Sequence, residues 1–216
     1  IGESNFSDHG ANRLGASSLM QAAGDGYFIL PYTLTNYLAG EIKTPRLSVD
    51  APEFDEAEKS AHERIEKLMS IKGKHNAASF HKRLGKIMWD YCGMVRNEAG
   101  LTKALEMIRG LRKEFWSDLL IPGSTAELNQ ELEKAGRVAD FIDLGELMVT
   151  DALNRKESCG AHFREESQTE DGEAKRIDEE FAYVAAWEFN GEGNPPTLHR
   201  EQLKFEFVEM KERSYK

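Results

Sequence analysis

The sequence predicts a mainly α-helical protein: an antiparallel helical bundle, preceded by a segment rich in small residues and followed by a loop-rich tail with a short β-hairpin. Three observations predict it. Apolar residues recur at helical spacing in four long stretches between Phe54 and Asn154. Recognisable start and stop signals separate those stretches. After Phe181 the period changes to two, with aromatic residues on alternate positions. A composition of 40% apolar and 31% charged residues fits amphipathic helices with wet outer faces.

Residues 1–40 are rich in Gly, Ala and Ser and turn aromatic at Tyr27-Phe28-Ile29-Leu30, where Pro31 breaks or kinks any helix. The stretch from Gly40 to Leu47 reads as a connector. Asp50 as N-cap, Pro52 in the first turn and Glu53 then start a helix that carries Phe54, Ala57, Ala61, Ile65, Leu68 and Met69 and stops at Gly73. A second helix is expected over 79–95, with Phe80, Leu84, Ile87, Met88, Tyr91 and Val95 on one face. A third starts after Asn97, carries Leu101, Leu105, Ile108, Leu111, Phe115 and Leu119, and stops at Pro122-Gly123. Ser124 and Glu127 form a capping box for a fourth helix running toward Asn154. Short connections favour antiparallel neighbours. From Glu165 to Glu180, eight acidic residues against two basic ones read as a solvated loop. Phe181–Phe189 reads as a strand, Gly191–Pro196 as a turn, and Leu203, Phe205 and Phe207 as a second strand.

Bulk properties narrow the function. At 216 residues the chain can hold one or two domains. A net charge of −10 without a basic stripe argues against nucleic acid. No run reaches about 18 consecutive apolar residues, so no span of a membrane is expected. The two cysteines, Cys92 and Cys159, show no metal spacing and read as reduced thiols. No Gly-x-Gly-x-x-Gly turn, paired carboxylates or Ser/His/Asp set stands out.

The most informative run is His9-Gly10-Ala11-Asn12-Arg13-Leu14-Gly15-Ala16-Ser17-Ser18-Leu19. Arg13 offers a planar guanidinium suited to a bidentate carboxylate pair. Gly15, Ala16, Ser17 and Ser18 let a bulky group approach the backbone, and the N–H groups of a helix start would face an anion or an electron-rich edge. A lone arginine is more often structural, and small residues equally suit close helix packing. Composition does not separate these readings. His9 suits a proton carrier or a satisfied buried imidazole. His162, between Gly160-Ala161 and Arg164, is the other histidine in suggestive company. No metal ligand set is assigned.

Three segments together resemble the flavoprotein subunit of succinate dehydrogenase and fumarate reductase, in its C-terminal portion. Gly2-Glu3 with His9–Gly15 and Ser18-Leu19 is similar to that family's second flavin-contact segment. Arg96-Asn97-Glu98-Ala99-Gly100-Leu101 is similar to its junction in the helical domain. Glu157-Ser158-Cys159-Gly160-Ala161-His162-Phe163-Arg164 resembles its Glu-Ser-Arg-Gly-Ala-His-x-Arg signature, with Cys159 in place of the arginine. Ala16-Ser17 also departs from the family's more common Gly-Asn or Ala-Asn pair.

The resemblance implies a division into 1–40, the terminal piece of a FAD-binding domain; 41–156, the helical bundle; and 157–216, the tail. It implies that Arg13 binds a carboxylate of succinate or fumarate and that Glu3, Ser18 and Leu19 contact FAD. It implies hydride transfer between flavin and dicarboxylate, with electrons leaving through an iron–sulfur subunit to quinone. A membrane anchor subunit would hold the complex at the cytoplasmic face of the membrane. The family's dinucleotide-binding turn, flavin-linking histidine, proton-donating arginine and capping domain fall upstream of the matched segment. These residues alone are therefore expected neither to retain FAD nor to turn over. The alternatives are a helical module docking the iron–sulfur subunit, an L-aspartate oxidase and, more distantly, an adenylylsulfate reductase.

Overall fold

The computed structural model describes residues 15–191, 193–207 and 209–211. Among these the protein is mainly helical. Its elements are α1 (Ser17–Gly24), a π-turn (Asp25–Ile29), α2 (Leu30–Leu38), α3 (Pro52–Ser70), α4 (Ala77–Cys92), α5 (Glu98–Asp118), α6 (Gln130–Asn154), the short α7 (Asp178–Phe181), and strands β1 (Tyr183–Glu188) and β2 (Thr197–Gln202).

The core is the bundle of α4, α5 and α6, with the end of α3 against it. The expected faces of α4 and α5 supply it with Phe80, Leu84 and Ile87 and with Leu101, Ile108, Leu111 and Phe115, and α6 adds Val138, Ile142 and Val149. Phe80 and Phe115 meet edge to face with ring centroids 5.3 Å apart. Cross-helix pairs fix the direction of packing. Arg83 of α4 reaches Glu114 of α5, whereas Lys103, near the start of α5, lies over Tyr91 near the end of α4, so the two run antiparallel. Arg112 pairs with Asp143 and Arg109 with Glu146, which makes α5 and α6 antiparallel too. Gly145 permits close approach of α4, since a Cβ there would stand 3.4 Å from Leu84 and 3.5 Å from Met88.

Several helix ends differ from the sequence expectation, each for a local reason. The N-cap of α3 is Ala51 rather than Asp50, because Pro52 at the first helical position sets the cap one residue before itself. Asp50 instead accepts a hydrogen bond from the Ser48 hydroxyl. That helix ends at Ser70, before Gly73, since Ile71 is already extended. Helix α4 spans 77–92 rather than 79–95, because Asn76 Oδ1 accepts the Ser79 N–H and Gly93 leaves the helical region. Val95 is consequently exposed and off the buried face. Asn97 does cap α5, accepting the Gly100 N–H at 2.7 Å. The Ser124–Glu127 capping box does not form. Asn129 caps α6 instead, accepting from the N–H groups of Glu131 and Leu132 while its amide donates to the Pro122 and Ser124 carbonyls. Ser124 Oγ is spent on a local turn with the Ala126 N–H.

Gly73 is where two backbones touch. A Cβ at this position would fall 1.9 Å from the Asp118 carbonyl carbon. The connector 71–76 lies against the end of α5, with Gly73 N–H donating to Leu119 O and Leu120 N–H to His75 O.

In the tail, β1 pairs with β2 antiparallel, Tyr183 opposite Gln202 and Glu188 opposite Thr197. The first strand is shorter than expected, because Phe181 closes α7. The second precedes the expected Leu203–Phe207 run: the loop Phe189–Pro196, with Gly191 and Gly193 at positive φ, brings Leu198 opposite Trp187. Phe205 and Phe207 then lie beyond the ladder and exposed. The hairpin is fixed to the bundle by Trp187 Nε1–H donating to Asp151 at 2.7 Å.

Before the bundle, Pro31 sits in the first turn of α2, just after the π-turn. In this wider turn the Leu30 N–H reaches back to the Asp25 carbonyl, and Pro31, which has no N–H, follows directly. Neither α1 nor α2 contains a buried residue. No helix among the described residues is long and apolar enough to cross a membrane.

Candidate functional site

Two places carry the chemistry-bearing residues. Arg13, Glu3 and His9 lie outside the described residues. Ser18 and Leu19 occupy the first turn of α1, which begins at Ala16 with φ 61° and has no side-chain cap. Helix geometry leaves the first N–H groups of such a turn without intrahelical partners and with partial positive charge. Leu19 is 70% exposed, and among the described residues no atom lies within 4 Å of where a Gly15 Cβ would be. Among the described residues this helix start is bordered by small side chains and carries no side-chain cap.

The second place is the loop 157–164, clamped between the end of α6 and the α4–α5 junction. It holds an unusual concentration of buried polar side chains: Glu157, Ser158, Arg164 and, just after it, Ser167. Each has a defined partner. Arg164, 2% exposed, donates through Nη1 to Ala152 O at 3.0 Å and through Nε to Glu166 at 3.1 Å. Its guanidinium thereby closes the carbonyl end of α6. Ser158 Oγ accepts the Arg164 N–H and donates to the Arg164 carbonyl. Glu157 accepts from Arg155 Nη1 at 2.7 Å and from the Ile177 N–H at 2.9 Å. Arg155 in turn lies over Tyr183, which Arg200 also covers.

A parallel backbone bridge joins this loop to the α4–α5 junction. Arg96 N–H donates to Phe163 O at 2.9 Å, and Glu165 N–H to Arg96 O at 2.8 Å. Beside it, Arg96 Nη1 stands 2.8 Å from His162 Nδ1, and His162 Nε2 stands 2.8 Å from Arg155 O. A guanidinium only donates and a carbonyl only accepts, so the ring is neutral with its proton on Nε2. Burial pushes the His162 pKa down, and the positive charges of Arg96, Arg164 and Arg155 add to that against the Arg155 carbonyl bond.

The acidic stretch that the sequence suggested as solvated is partly structural. Glu166 accepts the Glu98 N–H at 2.6 Å as well as Arg164, and Asp178 pairs with Arg176. The convergence of Arg96, Arg155 and Arg164 on one histidine is beyond sequence spacing; the only local signal is the His162-x-Arg164 pair.

The fold also assembles three groups that spacing did not suggest: His75, Glu114 and Asp118 offer ligand-type atoms within 4.8 Å of one another. All three are already partnered. His75 Nδ1 lies 2.6 Å from Asp118, which also accepts the Lys74 N–H, and Glu114 takes both terminal nitrogens of Arg83. The trio reads as an ion-pair network joining the start of α4 to the end of α5. Cys92 is buried among core side chains, and burial raises its thiol pKa despite Arg96. Burial also raises that of Cys159, with Glu157 adding to it. Neither environment favours a thiolate.

Comparisons with known proteins agree with this architecture. The family described as fumarate reductase flavoprotein C-term matches residues 81–215. An uncharacterised FAD-dependent oxidoreductase of Methanocaldococcus jannaschii is 32% identical over 160 residues, 73% of this chain and 26% of that protein. The succinate dehydrogenase flavoprotein subunit of Bacillus subtilis is 31% identical over 163 residues, 76% of this chain and 27% of its own. Among solved structures, an E. coli quinol fumarate reductase aligns with a TM-score of 0.76 at 22% identity, covering 94% of this chain and 33% of that one. The chain thus spans about a quarter of the length of these curated relatives. With the family match over most of its length and the same helical fold, the chain belongs to the succinate dehydrogenase and fumarate reductase flavoproteins, as their C-terminal portion.

Proposed function

We propose that the protein of which these residues form the C-terminal portion interconverts succinate and fumarate. Family membership carries this reading. In it, residues 1–40 complete a FAD-binding domain, 41–156 form the helical domain, and 157–216 form the tail that seals it. FAD, when bound, supplies hydride acceptance and donation. Arg13 binds one carboxylate of the dicarboxylate in a bidentate pair, fixing its orientation and neutralising its charge. Ser18 and Leu19 present the start of α1 to the cofactor, where the partial positive charge of the helix end favours electron-rich groups. Glu3 lies against the ribityl or ribose part. Electrons pass through an iron–sulfur subunit to quinone, and a membrane anchor subunit holds the complex peripherally at the cytoplasmic face of the membrane.

The test is an assay of the full-length protein with an artificial electron acceptor. Succinate-dependent reduction is expected, with Arg13→Gln lowering kcat/KM roughly 100-fold, the scale of a lost charged pair. Turnover of L-aspartate in place of succinate would move the assignment to L-aspartate oxidase. Undiminished activity in the variant would remove Arg13 from the site.

A further inference from the structure

The loop 157–164 contains one group whose protonation state decides whether its contacts can exist. We propose that His162 is a pH-operated latch: neutral, it fastens this loop to the α4–α5 junction through Arg96 and to the end of α6 through the Arg155 carbonyl; protonated, it keeps the Arg155 carbonyl bond but loses Arg96 and loosens the loop from the junction.

The geometry carries the argument. Nδ1 has a guanidinium nitrogen 2.8 Å away, and Nε2 has a carbonyl oxygen 2.8 Å away. Only one arrangement of hydrogens satisfies both, with the lone pair of Nδ1 toward Arg96 and the proton of Nε2 toward Arg155. A second proton has one place to go, on Nδ1, where it points at a donor that cannot become an acceptor. The Arg96 bond is lost and two like charges meet in a half-buried site.

The surroundings reinforce this. Arg96 faces the ring from the α4–α5 junction, Arg155 from the end of α6, and Arg164 from the loop itself. The acidic groups nearby are committed elsewhere: Glu157 to Arg155, Glu165 to Asn97, and Glu166 to Arg164 and the Glu98 N–H. Arg176 and Asp178, beside Cys159, pair with each other. After protonation Arg164 still anchors the loop to α6 through the Ala152 carbonyl, whereas the junction side keeps the two-bond bridge at Arg96 and the Asn97–Glu165 and Glu98–Glu166 bonds without the support of the ring. Release is therefore confined to the side facing the junction, with the bundle core intact.

Hydrogen exchange of the Arg96 and Glu165 amides, expressed as protection factors across pH, reads the bridge, and imidazole NMR reads the ring. The expected result is a neutral Nε2–H ring with a protonation midpoint below the ordinary 6.5. Protection of both amides should fall about tenfold or more through that midpoint, the scale of one lost charged hydrogen bond, while Ile108 and Leu111 in α5 stay protected. His162→Gln, whose amide can accept from Arg96 and donate to Arg155 at every pH, should keep the bridge closed in acid. An Nδ1–H ring, a midpoint at or above 6.5, flat protection, or the same acid opening in His162→Gln would each overturn the proposal. If that variant loses α5 protection and so does not fold, the wild type still decides: ring and bridge midpoints that differ refute the latch.

Discussion

The guanidinium of Arg164 stands 3.0 Å from the carbonyl oxygen of Ala152 and closes the last turn of α6 from outside the helix. A helix leaves its last carbonyls unpaired, and here the partner is a side chain ten residues beyond the helix end. Arg164→Ala strands these carbonyls in a buried site and is expected to cost about 3 kcal/mol or more. Arg164→Lys restores the charge but not the fork that reaches Ala152 and Glu166 together, so it should recover only part of the loss. Chemical denaturation of the three proteins measures both steps.

Gly73→Ala should be among the most damaging single-methyl substitutions in the chain. The added carbon would meet the Asp118 backbone at 1.9 Å, a rigid neighbour rather than a flexible side chain. A loss of at least about 3 kcal/mol is expected, the upper range for overpacking. Gly110→Ala, inside α5 with nothing within 4 Å, should instead stabilise by roughly 0.5–1 kcal/mol through helix propensity. Thermal melts of the pair separate backbone contact from intrinsic preference.

Acid should act on the bundle through Glu146. Burial pushes its pKa up, but hydrogen bonds from Arg109 and Arg112 outweigh that and hold it below the ordinary 4.5. The unfolded chain therefore takes up this proton first as pH falls, and stability present above about 4.5 is lost as pH drops through the folded value. Glu146→Gln removes the titration. The Tm advantage of wild type over this variant should be full near neutrality and shrink as pH falls below the ordinary 4.5 toward the lowered folded value.

The 216 residues produced on their own are expected to be colourless and inactive toward succinate, since they contain no glycine-rich dinucleotide turn. Absorbance between 350 and 500 nm after gel filtration with added FAD checks this. Roughly equimolar retained flavin would show that the helical portion binds the cofactor unaided.

The helices were legible because burial repeats with the helical period: the expected faces of α4 and α5 lie in the core. Their starts were less so, because several residues in a row can cap and only tertiary partners choose. Asn129 outcompetes Ser124 by serving both sides of the turn with one amide. The strand shift in the tail has a similar origin, since Trp187 and its bond to Asp151 set the hairpin against the bundle. Of the candidate site residues, Ser18 and Leu19 lie in the first turn of α1. Arg155 and Arg164 lie near His162 in the sequence, but Arg96 was invisible as its partner, because it stands 66 residues away.

The parallel bridge between Arg96 and Arg164 also bears on the order of folding. It ties residues on either side of the α5–α6 hairpin, so its formation closes a large ring of chain. Closing such a ring while its interior is still a coil costs more entropy than closing it after two helices have shortened the path. The seal is therefore expected to form late, after α5 and α6 have docked. Mutations there should speed unfolding far more than they slow folding.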